Sequence, residues 1–255
     1  AVNLAAALAS CDLRVLVIDL DPQGNASTAL DVEHHAGTPS VYDVLLDAVP
    51  IDDVVRPVPR FDGLDCVPAT IDLAGSEIEL VAMEKRESRL RQVLEPYVNE
   101  AGRRYDYIFI DCPPSLGLLT VNALVAGREV LIPIQCEYYA LEGLSALLNN
   151  IKLVQAHLNP SLVISTILLT MFDGRTRLAA QVVDEVRQQF GETVLETMVP
   201  RSVRISEAPS YGETVMTYDP SSSGAMSYLE AAREIALRVE HVAPSSGRDA
   251  AGGGR

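Results

Sequence analysis

Short runs of β-branched and other apolar residues alternate along this chain with stretches whose apolar residues recur every three or four positions. Each apolar run ends in a polar or turn segment, as a buried strand does at the edge of a sheet. The runs are Val15–Ile18, Leu64–Val67, Tyr107–Ile110, Val130–Ile134, Val163–Leu169 and Val194–Met198, and the helical stretches are Leu73–Leu94, Leu118–Val125, Leu141–His157 and Leu178–Phe190. This alternation predicts an α/β fold that is doubly wound, with a mostly parallel sheet and helices on both faces.

The length of the chain suits one large domain. It has 255 residues, of which 48% are hydrophobic, and we expect a single domain over residues 1–242. Residues 31–60 read as a loop-rich excursion with one short helix near Val41–Leu46. Residues 243–255 are rich in glycine and serine and are expected to form a disordered tail. No apolar run approaches the ~18 residues of a membrane-spanning helix, so no membrane association is expected.

The charge balance and the cysteines narrow the classes of function. The chain carries 35 acidic and 20 basic side chains, a net charge of −15. Such a chain is not typical of general nucleic-acid binders, unless a local arginine patch overrides the total. Its four cysteines are scattered without metal-ligand spacing, which argues against a zinc site or a disulfide framework. We therefore expect a reduced, cytoplasmic protein.

Two carboxylates follow the first predicted strand. Asp19 and Asp21 are two residues apart, so they leave the strand end on the same side, and Pro22 and Gly24 then turn the chain. Carboxylate and water oxygens are the ligands that Mg²⁺ prefers, so this pattern suits magnesium and water handling beside a phosphate. A capped turn between a strand and a helix explains the same residues equally well.

A third carboxylate, Asp111, ends the apolar run Tyr107–Ile110. An aspartate in this position is typical of a Walker B site, in which it holds the Mg²⁺ shell of a bound nucleotide. A strand-end cap is an equal alternative for Asp111 taken alone. The neighbouring Cys112 is interpreted as a packing residue, because nothing near it in the sequence would lower its pKa.

Together these segments, in their order along the chain, resemble the ParA family of Soj-type chromosome- and plasmid-partitioning ATPases with a deviant Walker A loop. The resemblance covers residues from Ala1 to about Val239. It rests on Asp19–Asn25, Asp111–Ser115, Pro133–Gly143, Thr170–Thr176, Pro200–Gly212 and Tyr218–Pro220.

The resemblance implies a P-loop NTPase-like fold that binds ATP and Mg²⁺ and dimerises around two sandwiched nucleotides. It also implies non-specific DNA binding by the dimer, stimulation of hydrolysis by a ParB-type partner, and a cytoplasmic, nucleoid-associated location. By position, Asp21 would orient the attacking water, Asp111 would be the Walker B carboxylate, and Asp19 would be a second group around the metal. Whether the cargo is a chromosome or a plasmid is left open.

Four further residues match family positions. Pro200 and Ser202 fall where the family contacts the adenine end of the nucleotide, although many relatives have Asn where this chain has Ser202. Arg175 and Arg204 match positions that help to bind DNA, and arginine contacts to phosphate need no base sequence. The alternative for each arginine is a solvated surface side chain.

The main departure from the family concerns its glycine-rich loop. Its only lysines, Lys85 and Lys152, lie in a charged stretch and in a helical pattern, whereas the family's glycine-rich loop with its two lysines would stand immediately before Ala1. That loop cradles the phosphates and neutralises charge in the transition state. We therefore expect these 255 residues alone to bind ATP poorly and not to hydrolyse it measurably. A non-enzymatic relative that serves as a DNA- or partner-binding scaffold is the alternative, whereas a membrane-positioning ATPase or an iron–sulfur reductase is disfavoured.

Overall fold

Every predicted apolar run forms a strand in the computed structural model, which describes residues 1–100, 105–137 and 140–242. The predicted tail at 243–255 lies outside these described residues. The strands are β1 (Val15–Asp19), β2 (Arg56–Pro57), β3 (Leu64–Val67), β4 (Tyr107–Asp111), β5 (Glu129–Gln135), β6 (Val163–Phe172) and β7 (Val194–Pro200). Only the two-residue strand β2 has no counterpart among the predicted runs, because it is too short to show a period.

The helices also follow the predicted stretches, with one interruption. They are α1 (Val2–Ala9), α2 (Asn25–Ala29), α3 (Val41–Leu46), α4 (Ile51–Val54), α5 (Leu73–Val81), α6 (Arg89–Glu100), α7 (Leu118–Ala126), α8 (Ala140–His157), α9 (Arg177–Phe190), α10 (Val203–Glu207), α11 (Val215–Tyr218) and α12 (Ser223–Val242). The stretch predicted at Leu73–Leu94 is divided between α5 and α6. α5 ends at Val81, and Lys85 between the two helices has a φ of +53°, so the chain there is not α-helical although the apolar spacing continues.

Hydrogen bonding groups the strands into two sheets instead of the single sheet that we predicted. One sheet has the order β2-β3-β1-β4 and the other the order β5-β6-β7. All pairs are parallel except β2 with β3. Within the described residues, β4 and β5 each pair with one neighbour only, so each lies at an edge of its sheet.

Helices cover both faces, as predicted, and β1 shows how. Its side chains are all buried, and they alternate between two apolar clusters. Val15 and Val17 pack with α1 and α12, whereas Leu16 and Ile18 pack on the opposite face with α3, α5, α6 and α7. The cluster under α1 also contains Leu168 of β6, so this apolar cluster includes residues of both sheets. The doubly covered, parallel α/β class is therefore confirmed.

The parallel order places the carboxyl ends of β1, β3 and β4 at one edge, and those of β5, β6 and β7 at one edge of the second sheet. In such sheets ligands bind just beyond these ends. No helix in the described part of the chain combines the length and the apolar character needed to cross a membrane.

Candidate functional site

The two strand-end carboxylates of β1 and β4 lie side by side. Asp19 pairs in register with Asp111, and the backbone N–H of Leu20 donates to the carbonyl of Asp111 at 2.8 Å. Asp19 is fully buried, whereas Asp111 and Asp21 are half-buried. We call Asp19, Asp21 and Asp111 the carboxylate edge. The geometry places Asp111 beside Asp19, and the backbone N–H of Asp21 donates to Asp19.

Asp19 is held by hydrogen bonds from the chain that follows it. Its Oδ2 accepts from the backbone N–H of Ser27 at 2.8 Å and from Ser27 Oγ at 2.7 Å, and its Oδ1 accepts from the backbone N–H of Asp21 at 3.2 Å. Desolvation by burial raises the pKa of Asp19, and the hydrogen bonds from Ser27 oppose that rise. The carboxylate therefore ties the loop and the start of α2 to the end of β1.

Ser27 extends this network to a third element, and sequence reasoning missed it. Besides donating to Asp19, its fully buried Oγ accepts from the backbone N–H of Ala69 at 3.1 Å, just beyond β3. One hydroxyl therefore joins the ends of β1 and β3 to α2. A serine near the start of a helix that follows a strand-end aspartate is the signal that could have revealed it.

Asp21 lies in a tight turn between β1 and α2. Its Oδ1 accepts from the backbone N–H of Gln23 at 3.0 Å, and its carbonyl accepts from the N–H of Gly24 at 2.9 Å. Gly24 has a φ of +63°, and a Cβ there would lie 2.9 Å from the ring of His34, so glycine is required. This turn fixes Asp21 directly beyond the end of β1.

The carboxylate edge suits a cation that arrives with other ligands. Within the described ranges, no group of three His, Cys, Asp or Glu side chains is arranged to hold a metal alone. Mg²⁺ in nucleotide sites is bound by one or two carboxylates together with water and phosphate oxygens. Asp111 fits such a ligand, because its carboxylate accepts no hydrogen bond from the residues that the structure describes. The oxygens of Asp19 are engaged by Ser27 and Asp21, which suits an indirect role.

Cys112 has no nucleophilic character beside this edge. Desolvation, with a smaller contribution from the Asp111 carboxylate, raises the pKa of its thiol to about 12. The thiol is therefore protonated at neutral pH, but the side chain is exposed, so our interpretation of Cys112 as a packing residue is wrong.

The residues predicted to contact the adenine lie at the end of β7. Pro200 is the last residue of that strand, and Ser202 is the N-cap residue of α10 without a side-chain capping hydrogen bond. Both are half-buried. Between them, the backbone N–H of Arg201 donates to the carbonyl of Phe172 at 3.0 Å, which ties this segment to the end of β6. Their contact with a nucleotide stays a prediction.

The predicted DNA-binding arginines lie beyond β6 and β7, and each is paired with a carboxylate. Arg175 donates to both oxygens of Asp173, at 2.9 and 2.8 Å, and its side chain is 88% exposed. These hydrogen bonds hold the pKa of Asp173 at about 2. Arg204 lies 3.3 Å from Glu207 and 3.4 Å from Asp219.

A third arginine, which the sequence analysis did not select, joins these two. Arg201 forms an ion pair with Glu137 at the end of β5, and its charge also helps to lower the pKa of Asp173. We call Arg175, Arg201 and Arg204 the arginine surface. A basic residue next to a predicted ligand position, as Arg201 is to Pro200, was the available signal.

Comparison with known proteins gives consistent matches. The family described as an AAA domain matches residues 1–164. The sporulation initiation inhibitor protein Soj of Bacillus subtilis is 53% identical over 92% of this chain and 91% of its own length. The chromosome partitioning protein ParA of Myxococcus xanthus is 52% identical over 96% of this chain and 84% of its own length.

Solved structures are similar as well. The cobyrinic acid a,c-diamide synthase of Mycobacterium smegmatis with bound ADP and magnesium has a TM-score of 0.78 at 33% identity, over 93% of this chain and 87% of that chain. The cell division ATPase MinD of Pyrococcus furiosus has a TM-score of 0.71 at 25% identity, over 93% of this chain and 91% of that chain. The match extends over nearly all elements described above.

Proposed function

Since the chain belongs to the Soj and ParA family of chromosome-partitioning ATPases, we propose that it is an ATP hydrolase that drives DNA segregation. The adjacency of Asp19 and Asp111, with Asp21 in the turn between β1 and α2, is the observation that carries this proposal. ATP and Mg²⁺ are its cofactors, in agreement with the nucleotides and magnesium bound in a solved structure that is 33% identical.

Each carboxylate has a separate role in this proposal. Asp111 is the side chain that would hold Mg²⁺, which when bound neutralises charge on the phosphates. Asp21 would orient the attacking water, the role that its position in the family implies. Asp19 would keep that turn in place through Ser27 and the N–H of Asp21, and so would act on the metal site indirectly.

The remaining parts of the proposal concern the dimer and its partners. Two chains would sandwich two nucleotides, with Pro200 and Ser202 at the adenine end. Arg175 and Arg204 would bind DNA phosphates without sequence preference, which a net charge of −15 allows because the contacts are local. A ParB-type protein would stimulate hydrolysis, and the DNA-bound protein would be nucleoid-associated in the cytoplasm.

The 255 residues themselves contain no lysine in a glycine-rich loop. We expect this chain alone to bind ATP weakly and to show no measurable turnover, because no other residue can supply the phosphate cradle and its positive charge. The catalytic test therefore uses the protein at its native length, purified from its own cells.

The experiment is a comparison of steady-state ATP hydrolysis with non-specific DNA and Mg²⁺ present. Asp21→Ala and Asp111→Asn should each lower kcat by about 100-fold or more, as loss of water activation or metal binding does. The control is Asp184→Asn, an exposed carboxylate on α9, which should leave kcat unchanged. Wild-type turnover in Asp21→Ala would reject the assignment of this edge.

For the 255 residues alone, turnover above that of the same chain with Asp21→Ala would contradict the expected inactivity.

A further inference from the structure

The C-terminal ends of two short helices lie against each other near the carboxylate edge. The first is the end of α2, where Leu30 is the C-cap residue and Asp31 has a φ of +56°. The second is the end of a 3₁₀ helix, Ala208–Tyr211, whose C-cap residue Gly212 has a φ of +63°. α2 packs against this 3₁₀ helix. A Cβ at Gly212 would lie 3.1 Å from Asp31 Oδ1, so the two ends are in close contact.

Arg60 spans the contact from a third segment, the loop between β2 and β3. Its Nη1 donates to the carbonyl of Gly212 at 2.6 Å. The same nitrogen lies 3.9 Å from Asp31 Oδ2, and Nη2 lies 3.9 Å from Glu213 Oε1. A planar guanidinium can hold such partners at once through several donors in a fixed fork, which a lysine ammonium cannot do. Arg60 thus clamps the end of α2 to the end of the 3₁₀ helix.

One clamped segment starts beside the proposed catalytic site, and the other continues from the helix that carries a proposed DNA-binding residue. α2 starts directly after the turn that carries Asp21. The 3₁₀ helix continues without a break from α10, which carries Arg204 and has Ser202 as its N-cap residue. Both segments are short. α2 is held through its residue Ser27, and α10 begins three residues after the end of β7. A displacement of the Asp21 turn therefore reaches Arg60 over α2 alone, and a displacement at the start of α10 reaches it over α10 and the 3₁₀ helix.

We propose that Arg60 is a positioning residue that couples the Asp21 turn to the Arg204 helix, so that the nucleotide state sets the affinity for DNA through this clamp. The inference rests on the proposed function and adds its regulation. Coupling of this kind is reciprocal, so DNA should change nucleotide affinity by the same factor. The side chain of Arg60 is 40% exposed, and exposed ion pairs contribute little to folding, so its variants should fold.

The test uses the native-length protein with Arg60→Ala, Arg60→Lys and the control Arg91→Ala. Arg91 is a comparably exposed arginine, 43% exposed, that pairs with Glu95 on α6, away from both segments. Affinity for a random-sequence duplex is measured by fluorescence anisotropy with ATP and Mg²⁺ and again with ADP and Mg²⁺. The ratio of the two affinities should fall by about fivefold or more in Arg60→Ala, the lower end of typical coupling. It should fall less in Arg60→Lys and stay at the wild-type value in Arg91→Ala.

Two results would overturn the clamp. One is an unchanged ratio in Arg60→Ala. The other is an equal loss of affinity in both nucleotide states, because that pattern indicates a direct phosphate contact or a general structural role instead of coupling.

A second measurement separates failure of the clamp from failure of the proposed function. Hydrogen exchange of the amides of Gly212 and Glu213, which donate to the carbonyls of Pro209 and Ala208, is followed with and without ATP. If the wild type binds no DNA with either ATP or ADP, the proposed function fails. The exchange data then test the clamp by themselves. ATP-dependent protection that is lost in Arg60→Ala supports it. Protection that Arg60→Ala retains, or that the wild type never shows, refutes it.

Discussion

The carboxylate edge and the arginine surface both lie beyond the ends of parallel strands, yet they are built in opposite ways. Asp19 has no exposed surface and receives three hydrogen bonds from Ser27 and Asp21. Arg175 is 88% exposed and has one carboxylate partner, Asp173. One region is fixed by the interior of the protein, and the other is held by contacts that water and ions can replace.

This difference matches what each region has to do. A buried charge with satisfied hydrogen bonds is costly to disturb, so it holds reacting groups in one geometry. An exposed ion pair contributes little stability and exchanges its partner easily, which suits a surface that must bind and release a polyanion. We therefore expect substitutions at the carboxylate edge to lower stability, and substitutions at the arginine surface to change DNA affinity and its salt dependence.

The largest effect is expected from Ser27→Ala. This substitution removes a hydroxyl donor to Asp19 and leaves the buried N–H of Ala69 without its acceptor. Unmade buried hydrogen bonds of this kind cost about 3 kcal/mol together. The free energy of unfolding is measured by urea denaturation, with Ser227→Ala, a half-buried serine on α12 whose hydroxyl donates to the carbonyl of Ser223, as the control. A loss in Ser27→Ala no greater than in Ser227→Ala would show that the carboxylate edge is not fixed from within.

The next effect is expected from Arg175→Ala. Each arginine that neutralises a phosphate contributes about 0.9 to the slope of log affinity against log salt. Removing the guanidinium should weaken DNA binding about tenfold at 0.1 M salt for each phosphate that it neutralises, and the slope should become shallower by about 0.9. Stability should not change. Anisotropy titrations over a salt series check this, with Arg233→Ala, an exposed arginine on α12, as the control. An unchanged slope would remove Arg175 from the DNA interface.

A smaller, pH-dependent effect should distinguish the two regions in the unfolding experiment. Because burial raises the pKa of Asp19 above its ordinary 3.8, the folded protein binds this proton more tightly than the unfolded chain does. The contribution of Asp19 is fully present below pH 3.8 and is lost as the pH rises through the raised pKa. The stability of the wild type relative to Asp19→Asn should therefore fall across that window. Asp184→Asn, at an exposed site, is the control substitution. A relative stability that rises instead would contradict the buried charge.

The sequence predicted the strands and the positions of Asp19 and Asp111 because both depend on local patterns. A strand can be recognised from its own apolar run. A residue at the carboxyl end of a strand lies at the same edge of the sheet as the carboxyl ends of the parallel neighbouring strands. The pairing of Asp19 with Asp111 needs only that β1 and β4 are adjacent.

The sequence offers a signal for the contact of Ser27 with Asp19, but none for its contact with Ala69 or for the contact of Arg60 with Gly212, because these partners are distant. Ser27 accepts from Ala69, which is 42 residues away, and Arg60 donates to Gly212, which is 152 residues away. Nor does apolar spacing show the turn at Lys85, because a positive φ leaves no trace in the hydrophobic period. The fold class follows from periodicity, whereas the hydrogen bonds that fix a site depend on how segments meet in space.

The smallest effect concerns the carboxylates of the arginine surface. Asp173 is ionised at neutral pH, and its hydrogen bonds from Arg175 lower its pKa to about 2, so it competes with DNA phosphate for the same guanidinium. Asp173→Asn should release Arg175 and tighten DNA binding about threefold, within the range of an exposed ion pair. The gain should shrink as salt rises, because screening weakens the competing pair as well. Glu95→Gln, which breaks the pair with Arg91 on α6, is the control. Weaker binding in Asp173→Asn would show that the carboxylate orients Arg175 for DNA, and the arginine surface would then be preorganised in the same way as the carboxylate edge.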